Sequence, residues 1–493
     1  MSCRAMCLCS LVLAAGLPGP ITAETVSFQN GVGGYESGVD IRINDDVLTL
    51  HNKGSAVQYY WIDGDQSNGT EINYWGLIRF DGIFGTEAGM IPPGATIVSA
   101  TLELTTPPTS VSADVISGGP FGVARLLRPF DETQSTTGWG TVFGTDGPDL
   151  TDIDRPAGGY RNLLAETTHG TNITPIVQAW SSGAPNYGVV LIAATSNAWM
   201  IHTTGAVEPT VRPKLIVEYT RTPSRAVLFQ EGVEGYTGTS MIFLRMDGIT
   251  APGEEYVTEY LDKRGAEPDT TNTVHALVKF DELFGNGTGK VPPLAQILKA
   301  YLVVTTAPRS ESYQTRTGGP FNVRQLLVDF NWTLADGAPG LRFWSDFGEN
   351  GPTEEGGTIG PVIASAESLI WDSQAWFEIT DTVKGWQAGE VDKGLIIESA
   401  SDDGWKIHWL KEGAVPPQLV VLVPSRVPDL NGDTYVDQAD VTLFVNCASG
   451  PAIPYRGECA MADLDSDQDV DQVDFGILQA CYSGTEVAEP GCL

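Results

Sequence analysis

The feature that most constrains this chain is an internal duplication. FQNGVGGY at 28–35 returns as FQEGVEGY at 229–236, LIRFDGIFG at 77–85 as LVKFDELFG at 277–285, and IPPGATIVSATLELTT at 91–106 as VPPLAQILKAYLVVTT at 291–306. GGPFGVARLLRPF at 118–130 is answered by GGPFNVRQLLVDF at 318–330, WMIHTT at 199–204 by WKIHWL at 405–410, and RPKLIVEY at 212–219 by PPQLVVLV at 416–423. The offset stays between 200 and 206 residues, so a unit of roughly 195 residues occurs twice, joined by a short linker at 222–225.

Each copy reads as β-structure. Runs at 96–104, 188–193, 215–219, 298–304 and 394–398 alternate in polarity or are rich in β-branched residues, and turn-forming Gly, Pro, Asn and Asp separate them. With 56 Gly and 31 Pro, long helices are disfavoured; one short helical turn is expected at 173–180 and one at 379–386. The expected fold class is mainly β: two tandem β-sandwich domains of jelly-roll type at 24–220 and 225–423, with a β-barrel as the alternative, and a small α-helical module at 428–493.

That last segment is duplicated on its own period. DLNGDTYVDQAD at 429–440 and DLDSDQDVDQVD at 463–474 both put an oxygen-bearing side chain at positions one, three, five, nine and twelve. A loop with oxygens at those positions, plus a carbonyl at seven, wraps a hard cation that takes six to eight oxygens. The ligands expected in the first loop are Asp429, Asn431, Asp433, the Tyr435 carbonyl, Asp437 and Asp440. In the second they are Asp463, Asp465, Asp467, the Asp469 carbonyl, Asp471 and Asp474. The cofactor expected is calcium, as two ions.

Val436 and Val470, at position eight, are where the two loops are expected to pair and pack. Beyond position twelve, Val441, Phe444 and Val445 follow helical spacing, as do Phe475 and Leu478, so each loop feeds a helix. The position-twelve carboxylate then falls in the first turn, where negative charge is favoured. Position six, usually Gly, is Thr434 and Gln468, and position twelve is Asp rather than Glu.

Of seven cysteines, Cys447, Cys459, Cys481 and Cys492 crowd into this tail. Repeat symmetry favours the disulfides Cys447–Cys459 and Cys481–Cys492 over the other two pairings. A zinc site is disfavoured, because no His lies beyond His408 and no C-x-x-C pair occurs.

Residues 1–23 read as a secretory signal: Arg4 is the basic start, 5–16 the short apolar stretch, and Ala23 a small residue before the cut. No later stretch approaches the ~20 apolar residues needed to span a bilayer. The expected location is secreted, extracellular or at the cell surface. A net charge of −34 and a pI near 4.3 argue against a nucleic-acid partner and against anionic surfaces, unless a local patch such as Arg125, Arg128 and Arg161 intervenes.

The loop-then-helix tail resembles a type I dockerin over 428–493, on its paired 12-residue loops with Asp at twelve. That resemblance implies a calcium-dependent module, EF-hand-like in its loops, that binds a cohesin on a scaffold protein. Partner choice would sit at positions ten and eleven, here Gln438, Ala439, Gln472 and Val473. The cysteine loops depart from the cellulosomal pattern.

The large copies resemble DNRLRE-type domains, on I-R-F-D or V-K-F-D, then I-P-P or V-P-P before an apolar strand, then W-x-x-G, then R-P-K-L-I-V-E-Y or its degenerate partner. The hexapeptide behind that name does not occur verbatim. The resemblance implies an exported β-sandwich, some members of which bind carbohydrate.

No G-x-S-x-G, H-E-x-x-H or Gly-rich phosphate loop appears. Asp81 and Asp281 read as turn caps, and His202 and His408 as structural histidines beside Trp199 and Trp405. QYYW at 58–61 and the segment 332–376 hold aromatics that could face sugar rings. The expected function is a non-catalytic binder of polysaccharide or surface glycan carrying an attachment module. The alternatives are a polysaccharide lyase or glycoside hydrolase, and a structural surface or adhesion protein.

Overall fold

The computed structural model describes residues 23–44, 52–64, 73–85, 87–112, 115–131, 150–245, 258–262, 273–285, 289–291, 295–311, 315–330, 341–343, 347, 352–354, 356–400, 403–410, 413–424, 428–431, 435–456, 459, 461–464, 469–486 and 488. The expected leader, apart from Ala23, lies outside them.

The chain is mainly β, with several antiparallel sheets and a few short helices. In the first copy a four-stranded sheet is ordered Glu24–Gln29, the first half of Lys214–Gln230, Ala95–Thr105, Thr168–Asn172. The second copy repeats that order with the second half of Lys214–Gln230, then Gln418–Pro424, Lys299–Thr305 and Gln374–Glu378. One strand therefore serves both sheets, and the linker expected at 222–225 is strand instead. Pro223 lacks an amide to donate and sits where the ladder against Ala95–Thr105 shifts register, a position where proline is tolerated. On either side, Leu215 and Val217 are buried in the first core and Phe229 in the second, so each half of the strand is held by its own copy.

A second sheet in each copy completes that core. In the first it is ordered Asn52–Lys53, Gly38–Asn44, Tyr74–Phe80, Val189–Ala193, Phe121–Arg125, Gly158–Tyr160. In the second it is Leu341–Phe343, Thr239–Arg245, Val274–Phe280, Leu395–Ser399, Phe321–Leu326, Ile359–Ala366. Leu102, Leu215 and Val217 from the smaller sheet and Ile78, Val123 and Leu191 from the larger lie in one apolar cluster. Each such side chain contributes about 1.5–3 kcal/mol when fully buried.

The repeated W-x-I-H motif anchors this core. Trp199 packs against the tilted rings of Phe121 and Tyr160, at centroid distances of 5.4 and 4.9 Å, and its indole N–H donates to the Thr106 hydroxyl at 3.0 Å. Trp405 does the same to Thr306 at 2.9 Å. The short helices occur at Thr174–Ser181 and Thr380–Gln387, where Thr174 and Thr380 accept from the Ala100 and Ala300 amides.

The copies are also packed together. The outer face of the first copy's larger sheet, with Ile41, Ile43, Leu77 and Val190, is covered in part by Ile370 and Trp371 of the second. Arg155 bonds Asp372 at 3.0 Å, Arg161 bonds Glu367 at 2.8 Å, and the Gln374 amide donates to the Pro156 carbonyl at 2.7 Å. Trp371, from the second aromatic segment proposed to face sugars, is thus part of the contact between the copies. Among the described residues no helix is long and apolar enough to cross a membrane.

Candidate metal centre

The tail folds as two loop–helix units, with helices at Gln438–Cys447 and Gln472–Ala480. Asp433, Asp465, Asp467, Thr434 and Gln468 lie outside the described residues. The remaining expected ligands gather at the two loop ends.

Asp440 and Asp474, at position twelve, are fully buried. Asp440 Oδ1 accepts from the Leu430 and Asn431 amides at 2.8 and 3.1 Å, and Oδ2 from the Asp437 amide at 2.8 Å. Asp474 repeats this with Leu464 at 2.5 Å and Asp471 at 2.8 Å. Each carboxylate ties the start of its loop to the end and completes a capping box with Asp437 or Asp471, whose side chains accept from the Ala439 and Val473 amides. A carboxylate has about four lone-pair positions, so acceptor capacity for a cation remains.

Asp429, Asp463 and Asp469 are buried as well. Arg456 is the sole Lys or Arg between 428 and 493, so basic side chains of the module cannot neutralise this set. Buried carboxylates need compensation, and oxygen-only donors suit calcium or magnesium rather than a soft metal. In the second unit, carboxylate oxygens of Asp469, Asp471 and Asp474 lie within 4.8 Å of one another. The donor set fits a hard cation.

One expectation needs correction. Val436 and Val470 pack in one apolar core as expected, but the backbone bonds of each go elsewhere: Val436 is bonded to Ser483 and Gly484, and Val470 to Ser449 and Gly450. The repeated Ser-Gly after each helix was the sequence signal for this. The expected helix follows the first loop; along it Phe444 is buried and Val445 exposed, because a helix this short buries only a narrow stripe. Phe475 is partly exposed and packs its ring 5.5 Å from Phe444.

Asp469, expected to contribute its carbonyl, also uses its side chain: the carboxylate accepts from the Ala452 amide in the loop between the two units. That loop is closed by a Cys447–Cys459 disulfide. Cys481 is disulfide-bonded too, and Cys492 lies outside the described residues. Gln438, Ala439, Gln472 and Val473 are all exposed at the helix starts.

In the body, Asp81 and Asp281 pair with Arg79 and Lys279 at 2.7 and 2.6 Å. His202 packs on Tyr59 with ring centroids 4.9 Å apart, and burial lowers its pKa to about 4. The suggested basic patch is neutralised: Arg125 pairs with Asp154 at 2.6 Å, Arg128 with Asp152 at 2.7 Å and Arg161 with Glu367 at 2.8 Å.

No family model matches this chain, and no curated protein does. One solved structure, of a Eubacterium rectale protein provisionally described as secreted, is 7% identical with a TM-score of 0.12, covering 74% of this chain and 69% of its own.

Proposed function

We propose that this is an exported, non-catalytic protein that binds polysaccharide or cell-surface glycan through two β-sandwich domains and is attached through a calcium-stabilised, dockerin-like tail. The two sheets that share each core support the sandwich reading. The observation that carries the calcium assignment is a set of five buried aspartates, in two matched loops, within a segment holding one basic residue. Asp429, Asp437 and Asp440 with Asn431 and Tyr435 would hold one ion, and Asp463, Asp469, Asp471 and Asp474 the other. Calcium supplies there the positive charge the loops lack.

The four exposed helix-start residues, Gln438, Ala439, Gln472 and Val473, form the surface for a cohesin-like partner. For the body, Trp61 of the QYYW segment supports glycan binding, since it is a large aromatic left 38% exposed. Two linked copies raise the effective concentration of the second contact.

The test is retention of the full chain on a panel of insoluble polysaccharides, with and without calcium, followed by product analysis. Retention without released oligosaccharide is expected. Released oligosaccharide transfers the assignment to an enzyme, and no retention on any glycan leaves a structural spacer.

A further inference from the structure

The contact between the copies is made by a loop that both copies possess. In the second it spans 367–372: Leu369 bridges Thr317, and Ser368 and Asp372 have φ of 61° and 57°. In the first it spans 161–166: Leu163 bridges Ser117, and Asn162 and Glu166 have φ of 51° and 53°. The two loops share one backbone shape, but their surroundings differ. Ile370 is fully buried against the first copy, whereas its counterpart Leu164 is 58% exposed.

The trough that takes Ile370 is a row across three strands of the first copy's larger sheet. Gly159, Gly122 and Ile192 lie side by side in register, with Ala124 next along the middle strand. A Cβ on Gly122 would run into the Ile370 side chain, and one on Gly159 into the Ser368 carbonyl. In the second copy the same row reads Ser365, Asn322 and Glu398, and Arg324 stands where Ala124 does. The Ser365 hydroxyl donates to Asn322 Oδ1 at 2.7 Å, and Arg324 bonds Glu398 at 2.6 Å and Glu354 at 2.9 Å. Arg155, which bonds Asp372 of the docked loop, is replaced by Pro361.

Each difference acts the same way. Side chains at 322 and 365 stand where the first copy has only glycine, so the space for an incoming loop is filled. Covering Arg324 and Glu398 with an apolar side chain would strip water from an ion pair, which costs free energy. A loop of one copy on the sheet face of the next is a heterologous contact, and such contacts repeat without closing unless something stops them. Arrays of stacked repeats end in a copy whose outer face is polar.

We propose that these domains dock head to tail, loop into trough, and that Ser365, Asn322 and Glu398 with Arg324 form a stop that keeps the chain from adding a second molecule of itself. The occupant barred is the 161–166 loop of that second molecule, led by Leu164. Neither glycan nor calcium enters this contact.

Sedimentation velocity of the full chain over a range of concentrations tests this. Wild type should show no association that Leu164→Asp removes. The opened variant Asn322→Gly/Arg324→Ala/Ser365→Gly/Glu398→Ile carries the first copy's own residues and should form species larger than dimers as concentration rises. Adding Leu164→Asp should return it to monomer. That combined variant keeps an open trough but no docking loop, so mixing it with wild type should give a one-to-one complex. A folded opened variant that stays monomeric, association that survives Leu164→Asp, or wild-type association through Leu164 overturns the stop. The converse variant Gly122→Asn/Ala124→Arg/Ile192→Glu tests the same residues without altering the second copy. Its amides at 368–372 should lose protection from hydrogen exchange, because the loop no longer seats. Unchanged protection there overturns the proposal as well.

Discussion

Ser449 clasps Val470 of the other unit: its hydroxyl accepts from the Val470 amide at 3.0 Å, and its own amide donates back to the Val470 carbonyl at 3.0 Å. Ser483 makes the matching pair with Val436, at 3.0 and 2.9 Å. Each loop is therefore held by the segment that follows the other unit's helix. The two loops are structurally interdependent.

Ser449→Ala and Ser483→Ala should each destabilise the tail by about 1 kcal/mol, the net value of one such hydrogen bond. Because the clasps are equivalent, the two single variants should shift the thermal midpoint equally. Differential scanning calorimetry of the full chain measures this. A large inequality would show that one unit folds without the other.

Removal of calcium should destabilise the tail, because an ion that binds only the folded loops stabilises them by mass action. Calorimetric titration of the chelator-treated chain should find two sites. Asp440→Asn keeps one acceptor oxygen and turns the other into a donor facing a backbone amide, so it removes the charge and weakens the cap together. Loss of one calcium site with a loss of ion-free stability of about 1–3 kcal/mol is expected; an unchanged titration would leave Asp440 as a cap alone.

Asp392 gives the second copy a pH dependence. Its first-copy equivalent is Asn186, whose amide donates to the Phe80 carbonyl at 2.8 Å. Asp392 Oδ1 accepts from the Gly394 amide at 2.8 Å, but Oδ2 is buried and has no hydrogen-bond partner among the described residues. Burial raises its pKa to about 6. The folded state thus holds the proton more tightly than the unfolded state, whose value is about 3.9. Stability falls as pH rises from about 4 to about 6, then stays reduced. Asp392→Asn should gain about 2 kcal/mol at pH 8 and almost nothing at pH 4, measured by denaturant titration at both.

The shared strand and the Trp371 contact should make the two copies unfold together. Trp371→Ala removes a large side chain packed against the first copy and should cost about 3 kcal/mol or less, since the ring is only partly buried. A single calorimetric transition in wild type that splits in the variant is the expected result. Two transitions already present in wild type would show the copies to be independent.

Much of this was legible in the amino-acid order. The 200-residue offset, alternating runs and Gly/Pro punctuation point to duplicated β-structure. The spacing of Asp437, Asp440, Asp471 and Asp474 anticipates carboxylates at the starts of two helices. These are local or periodic signals, and a sequence carries such information directly.

What the tertiary structure alone decided lies at long range. Thr222-Pro-Ser-Arg reads as a short linker, yet ladders with Ala95–Thr105 and Gln418–Pro424 make it strand. Arg125, Arg128 and Arg161 read as a basic patch, yet acids distant in sequence neutralise all three. Arg42 reads as one more strand residue until Trp61 and Tyr74 close over it. The reason is the same each time: pairing and charge compensation depend on which distant groups arrive, and local order does not specify that.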